Sequence, residues 1–545
     1  MYKKVAILIF FIASISSSCA QQNIKDYIGE WEGKTTNTND LNLNIAIELK
    51  GEDAVFKLSN SREILSKNFK LEKEVKLSLD ENLSFRGLLN SDKSMITGFM
   101  RIKKDLYPTK LYKKGNRYVG KWNLSALYYL QPNDLKLKMK EVNDDGYTVY
   151  PMLGSFWVSG FKQKDDTISF EDYKTGLDFE GILKPSEIIL NIKTGDNLIA
   201  SASFKKAKKV SSYNKTTLQI NDGWDLSKNQ LVLPKMEEGI HNNSLVGIES
   251  VIVAKNDKII YENYFADFNA KIPHGMRSAS KSISSAIIGI AIDDKIIESV
   301  DEKLYDFIPQ EYQYTKDSMK SKITIKDLLT MSSGLDVNNK AYEGYYQDES
   351  DDSWLKTVLE APMVHESGTY TDYGSANPFL LGISLNERLD IPLEFYMDNK
   401  LFAPLGIANY IMNTDDTGII PYFGGGLYLT PRDMLKFGQL YLNKGTWQGK
   451  RIISEDWVEE SFKKHTRLQD VRDKNEYGYQ WWHDTYMING ETIKTIEARG
   501  AGGQRIILIP ELESVVVITA GNYRNRKSNL SGEIFRDYVL PAIKN

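Results

Sequence analysis

The chain has 545 residues, a formal net charge of −4 with 69 Lys and Arg against 73 Asp and Glu, and a single cysteine. One hydrophobic core does not serve a chain this long, so about three domains are expected. Balanced charge with no basic stripe interleaved with aromatics excludes a polyanionic partner such as nucleic acid. One cysteine excludes an internal disulfide.

The first 22 residues place Lys3 and Lys4 before the apolar run Val5 to Ile15 and the small residues Ser16, Ser17, Ser18, Cys19 and Ala20. That run is too short to span a bilayer, and its order is that of a secretory signal peptide over residues 1–20. Export is therefore expected, to a bacterial periplasm or as an outer-membrane lipoprotein. Two processing routes stand open: cleavage after Ala20, or use of Ser17-Ser18-Cys19 as a loose lipobox that makes a lipidated Cys19 the only link to a membrane. Ser16 stands where such a box usually has Leu.

Residues 21–210 alternate apolar with Lys, Asp and Asn, and turn signals such as Asn143-Asp144-Asp145-Gly146 and Lys164-Asp165-Asp166 break the runs. Short antiparallel strands follow from that pattern. A faint repeat is present. Tyr27-Ile28-Gly29-Glu30-Trp31 recurs as Tyr118-Val119-Gly120-Lys121-Trp122, and Phe85-Arg86-Gly87-Leu88-Leu89 as Phe179-Glu180-Gly181-Ile182-Leu183. It predicts two related β modules, 21–113 and 114–210, acting as a structural spacer or as a ligand- or wall-binding element. The polar stretch from Lys205 leads into a linker at 211–220, and a catalytic domain is expected over 221–545, opening near Asn221-Asp222-Gly223-Trp224.

Ile248 to Ala254 and Lys258 to Tyr264 flank Asn256-Asp257 as a hairpin. Next comes Ser278-Ala279-Ser280-Lys281, followed by Ile283 to Ile297, which carries Ile at 283, 287, 288, 290 and 292 and predicts a helix buried nearly all round. A hydroxyl and an amine three residues apart on a first helical turn share a face, so Lys281 is placed to activate the Ser278 hydroxyl. The helix N-terminus adds unpaired N–H groups and partial positive charge, both favouring a developing oxyanion. Acyl transfer is the chemistry this pattern suits.

Competing chemistries lack their residues. The five His, at 241, 274, 365, 465 and 483, show no metal-ligand spacing. No Gly-x-Ser-x-Gly elbow and no phosphate-binding Gly-x-x-x-x-Gly-Lys loop occurs. Neither a metal nor a cofactor is expected, and the partner is a small-molecule substrate.

Five ordered motifs carry a family resemblance over 221–545: Ser278-x-x-Lys281; Ile323-Thr324-Ile325-Lys326-Asp327 through Gly334-Leu335; Gly368-Thr369-x-x-x-Tyr373-Gly374-Ser375; Gly424-Gly425-Gly426-Leu427 through Thr430-Pro431-Arg432-Asp433; and Gly500-Ala501-Gly502-Gly503-Gln504. Together they resemble the serine β-lactamase-related family of class C β-lactamases, DD-peptidases and esterases, with an ending similar to the 6-aminohexanoate-dimer hydrolase type. The resemblance implies an α+β fold: a β-lactamase/transpeptidase-like domain with an antiparallel sheet flanked by helices and a helical subdomain, here preceded by an all-β region.

It also implies roles. Tyr373 matches the tyrosine that takes the nucleophile's proton, with Tyr370 the competing candidate, and whether Tyr373 or Lys281 is the base is a coupled question. Ser375 stands where the family has Asn, leaving Asn377 to reach the substrate. Ala498-Arg499-Gly500 aligns with the third motif, whose leading cation is missing. Ala501 N–H then joins Ser278 N–H as the oxyanion donors, with Gly502 the alternative. Arg499 either binds a substrate carboxylate or faces solvent. In Tyr477-Gly478-Tyr479-Gln480-Trp481-Trp482, Trp481 and Trp482 are candidates to wall an acyl pocket, core packing being expected of at least one. The function implied is an exported serine hydrolase of small esters, amides or D-amino acid peptides. Its rival is a non-turnover binding or sensor protein on the same fold.

Overall fold

The computed structural model describes residues 24–36, 44–58, 63–67, 69, 71, 73–78, 82–121, 135–141, 149–153, 158–172, 177–194, 197–207, 222–266, 268–336, 353–469, 475–523 and 527–544. The expected signal peptide, Trp122, the 143–146 turn and the 211–220 linker lie outside them.

The C-terminal half is built on a nine-stranded sheet. Its order is Asp225–Leu226, Lys258–Tyr264, Ile248–Lys255, Ser514–Ala520, Gln504–Ile509, Glu491–Gly500, Trp482–Ile488, Glu476–Tyr477 and Thr466–Arg467. Every pairing is antiparallel except that of the short first strand. The hairpin read from 248–264 is present, and Asn256 and Asp257 both take positive φ (51° and 59°), the backbone a two-residue type I′ turn requires. Strict alternation loads both faces. Ile252, Ala254, Ile506, Leu508, Val515 and Val517 pack against Ser280–Asp293 and Pro431–Leu442. The intervening Val251, Val253, Ile507, Ile509, Val516 and Ile518 pack against Pro234–His241 and the C-terminal helices. The result is the α+β layering expected, with Trp224 buried against Trp447 where the domain was predicted to open.

The helix after the Ser-x-x-Lys pair is shorter than predicted. It runs Ser280–Asp293, buried from Ser280 to Ala291, and ends where Asp293, Asp294 and Lys295 reach solvent, Lys295 with φ 60°. Ile297 is still buried, but on the returning loop.

Apart from a 3₁₀ turn at Ile24–Tyr27, the regular elements of the N-terminal region are strands among the described residues, but their pairing cuts across the predicted division into 21–113 and 114–210. Gly29–Thr35 pairs with Leu135–Glu141 and Asn197–Lys206, inside the second module's sheet. Arg117–Lys121 pairs with Asn44–Lys50 and Asp105–Lys114, inside the first's. Each unit's opening strand thus closes the other unit's sheet, an exchange that a repeat in sequence does not reveal. The two sheets share one core that includes Trp31, Phe85, Tyr118 and Phe179.

That region is not a detached spacer. Asp105–Lys114 also pairs with Tyr410–Asn413, which pairs with Leu427–Leu429 and so with His274–Gly275, one continuous sheet ending three residues before Ser278. Ile411 and Tyr428 are buried in the N-terminal core, while Phe99 and Leu106 are buried in the catalytic one.

Candidate active site

Ser278 sits in a single 3₁₀ turn, Arg277–Ala279, at the entry to the buried helix. Arg277 carries φ 52°, a left-handed conformation unusual for a non-glycine residue, and its guanidinium lies 5.1 Å from the Tyr523 ring centroid. Such strain persists only where the surroundings fix the backbone. Here the strand bond Met276 N–H to Leu427 O (2.9 Å) and the helix on the other side do so.

Lys281 is 1% exposed, and its Nζ reaches Ser278 Oγ at 2.9 Å, Ser375 Oγ at 3.2 Å and Gly424 O at 2.6 Å. Three contacts suit both protonation states. An ammonium donates to all three, whereas a neutral amine donates to Gly424 and Ser375 and presents its lone pair to the Ser278 hydroxyl. The Gly424 carbonyl was not read from the sequence as part of the site. The signal was the run Gly424-Gly425-Gly426, whose last member has no room for a side chain: a Cβ there would lie 2.8 Å from Tyr422 O and 2.9 Å from Asn413 O.

Tyr373 is the tyrosine beside this cluster, its ring centroid 5.3 Å from Lys281 Nζ. Tyr370 stacks instead on His365 at 4.1 Å. The Tyr373 ring is boxed by Met331, Leu468, Tyr477 and Trp482, with Tyr477 edge-on at 6.1 Å and Trp482 at 4.9 Å. Burial, and then the charge Tyr373 would carry, push the Tyr477 phenol well up, so Tyr477 is a neutral wall of the box.

The end of Glu491–Gly500 lies against the Ser278 turn. A Cβ on Gly500 would fall 2.1 Å from Met276 O and 3.2 Å from Ala279 N, so only glycine lets the strand approach this closely. Ala501 follows on the exposed turn, while Gly502 (φ 81°) is buried under Tyr523. Among the described residues, neither the Ser278 N–H nor the Ala501 N–H meets a protein acceptor.

Other expected site residues fall elsewhere. Trp481 is fully buried among Phe437, Tyr441 and Phe462, the core packing expected of at least one of the pair, whereas Trp482 stands beside Tyr373. Asn377 is buried, donates to Met331 Sδ at 3.8 Å, and lines a small cleft with Ser333, Gly334, Tyr370 and Asp372. Ser375 belongs to the Lys281 cluster. Arg499, expected either to bind a substrate carboxylate or to face solvent, is paired with carboxylates of this chain. It donates to Glu497 Oε2 at 2.8 Å and to Asp484, and its guanidinium lies 5.2 Å from the Trp482 ring centroid.

Glu497 anchors that group. It is fully buried, accepts from Arg499, Arg505, Thr495 and Tyr486, and was not picked out in the sequence. Burial pushes its carboxyl up, but the Arg499 and Arg505 charges more than offset this and leave it lowered to about 2. Burial, then the Lys464 charge, lowers the His483 imidazole to about 4. Both groups bind fewer protons folded than unfolded on acidification, so both erode stability as pH falls. His483 acts between its unfolded value near 6.5 and about 4, and Glu497 below its ordinary value. The melting temperature is expected to drop from pH 7 to pH 4, and His483→Gln to lose less over that interval. Identical slopes would contradict the assignment to His483.

The family then follows from comparison. A family model described as Beta-lactamase matches residues 236–531. The chain belongs to this family. Its members are serine hydrolases. A 6-aminohexanoate-dimer hydrolase of Paenarthrobacter ureafaciens is 23% identical over 310 residues, 52% of this chain and 74% of that relative. An Escherichia coli K12 protein, provisionally named a D-alanyl-D-alanine carboxypeptidase, is 23% identical over 206 residues, 33% of this chain and 47% of its own length. The solved penicillin binding protein from Bacillus halodurans overlays with a TM-score of 0.43 at 17% identity, covering 54% of this chain and 95% of that one. The matched residues of this β-lactamase-family chain enclose the Ser278, Lys281, Tyr373 and Gly424 cluster and the Gly500 turn. Two other family motifs act as helix starts. Thr324 and Asp327 form a capping box, and Thr430 caps the helix that opens with Pro431.

Proposed function

We propose that the chain is an exported serine hydrolase that cleaves small esters, amides or D-amino acid peptides through an acyl-enzyme on Ser278. The observation that carries this is the 2.9 Å contact between Lys281 Nζ and Ser278 Oγ at the mouth of a buried helix. The Ser278 hydroxyl gives its proton to the Lys281–Tyr373 pair as its oxygen bonds the acyl carbon. The Ser278 and Ala501 amides receive the oxyanion. The proton passes to the leaving group as its bond to carbon breaks, and water then releases the acyl group by the reverse route. Trp482 lines the acyl side beside Tyr373.

Substrates without an obligatory carboxylate fit best, because Arg499 is already committed to Glu497 and Asp484. The N-terminal run Val5 to Ile15 and the small residues after it support export, with release after Ala20 or retention through a lipid on Cys19. The test is turnover by the mature chain of p-nitrophenyl acetate and butyrate, a D-alanyl-D-alanine peptide and a chromogenic cephalosporin. Esters are expected to exceed the cephalosporin in kcat/KM at least about tenfold, a margin of about 1.4 kcal/mol. Faster cephalosporin turnover would overturn the substrate ranking.

A further inference from the structure

Beyond the matched region, the N-terminal β region reaches the proton-handling lysine through a short chain of hydrogen bonds. Asp105 opens the strand Asp105–Lys114 and is 5% exposed. Its Oδ1 accepts from Asn413 Nδ2, and these two residues are register partners where the N-terminal sheet joins Tyr410–Asn413. Next along the chain, the Thr414 amide and hydroxyl both donate to Lys104 O, at 2.8 and 3.0 Å. The Asn413 backbone in turn holds the glycine turn from both ends. Its N–H donates to Gly426 O at 2.7 Å, and its carbonyl accepts from Tyr422 N–H at 2.8 Å. Within that turn Gly424 O accepts from Lys281 Nζ at 2.6 Å. The turn also abuts the nucleophile backbone, Gly425 lying against Arg277.

A second contact runs in parallel. Tyr428 is buried in the N-terminal core, and its ring fills the space over Gly275, where a Cβ would come within 2.8 Å of Tyr428 Cε1. Among the described residues, the contacts of the 105–114 strand join it to Tyr410–Asn413 and not to Ser278 or Lys281. Its effect on chemistry therefore runs through where the 422–426 turn places the Gly424 carbonyl.

We propose that Asp105 is a positioning residue for Lys281: by fixing Asn413 it sets the glycine turn whose Gly424 carbonyl orients the Lys281 amine toward Ser278. The N-terminal region is then a working part of the catalytic unit. The catalytic half of this inference rests on the serine-hydrolase reading, while its structural half does not.

The experiment compares full-length wild type with Asp105→Ala, Asp105→Asn and Tyr27→Phe. Asp105→Asn keeps an Oδ1 acceptor for Asn413. Tyr27→Phe removes the hydrogen bond from Tyr27 to Lys184 O in the N-terminal sheet far from the relay, controlling for stability alone. Hydrogen exchange at amides 422–427 is expected to accelerate in Asp105→Ala, and to stay at the wild-type rate in the other two. With p-nitrophenyl butyrate, kcat is expected to fall about 10- to 100-fold in Asp105→Ala with KM within about twofold, the cost of a misplaced catalytic group. Its kcat–pH profile shifts, and Asp105→Asn restores both. Unchanged exchange at 422–427 in Asp105→Ala overturns the proposal whether or not the chain turns over. Faster exchange with wild-type kcat and pH profile overturns the catalytic half. No turnover by wild type sinks the serine-hydrolase reading and leaves the exchange result to decide the relay.

Discussion

Replacing Lys281 with Met is expected to lower kcat for a p-nitrophenyl ester by about 100- to 10,000-fold while the chain stays folded, the range expected for losing a positioned acid–base group. Methionine matches the lysine stem in length and flexibility, so the packing around a residue 1% exposed is kept. What disappears is the amine that touches Ser278, Ser375 and Gly424. The Gly424 carbonyl loses its 2.6 Å partner, which costs about 1–3 kcal/mol of stability. Parallel thermal melts and ester kinetics separate the two effects. A variant retaining more than about a tenth of wild-type kcat would show that Lys281 carries no proton, and would leave the base role to Tyr373 alone.

Gly500→Ala is the second large effect. Its new methyl would sit 2.1 Å from Met276 O, a distance at which backbone has to move, and the atoms that move are those joining the end of the strand to the Ser278 turn. Overpacking of this kind costs about 1–3 kcal/mol of stability. The Ala501 amide, one residue on, shifts with it, and loss of one oxyanion donor lowers kcat about 100- to 1,000-fold. The expected signature is a kcat deficit that persists at temperatures where Gly500→Ala is fully folded. A variant that melts lower yet works at wild-type rate when folded would remove the Gly500 turn from the oxyanion site.

The residues that meet in the candidate site were legible because each carries a local signal at fixed spacing. Ser278 and Lys281 lie three apart on one helical turn, Tyr373 sits five residues past Gly368, and Gly500 opens a glycine-rich turn. The hairpin at Asn256-Asp257 was legible for the same reason, since its signal is contained in the residues that form it. Partners distant in sequence were not. Gly424 reaches Lys281 across 143 positions, and Asn413 reaches Asp105 across 308. Periodicity carries no information about such pairings. Nor does it distinguish Trp481 from Trp482, adjacent residues of one type of which the first precedes the strand and is buried among Phe437, Tyr441 and Phe462, and the second opens the strand beside Tyr373. In the sequence Arg499 reads as a substrate contact or a solvent-facing charge, and Glu497 is not picked out. Together with Arg505 they form a buried cluster, which only the register of neighbouring strands brings together. The exchanged opening strands are the strongest case: a repeat read along the sequence carries no information on strand order, and strand order decided where each opening strand lies.

The central claim is that Ser278 is acylated. Its most direct test is the intact mass of the mature chain, quenched in acid during turnover of p-nitrophenyl butyrate, beside Ser278→Ala treated identically. A gain of one butyryl group mapping to the peptide that contains Ser278, absent in Ser278→Ala together with turnover, is the predicted result. Hydrolysis that survives in Ser278→Ala, or a butyryl group on any other residue, would contradict it.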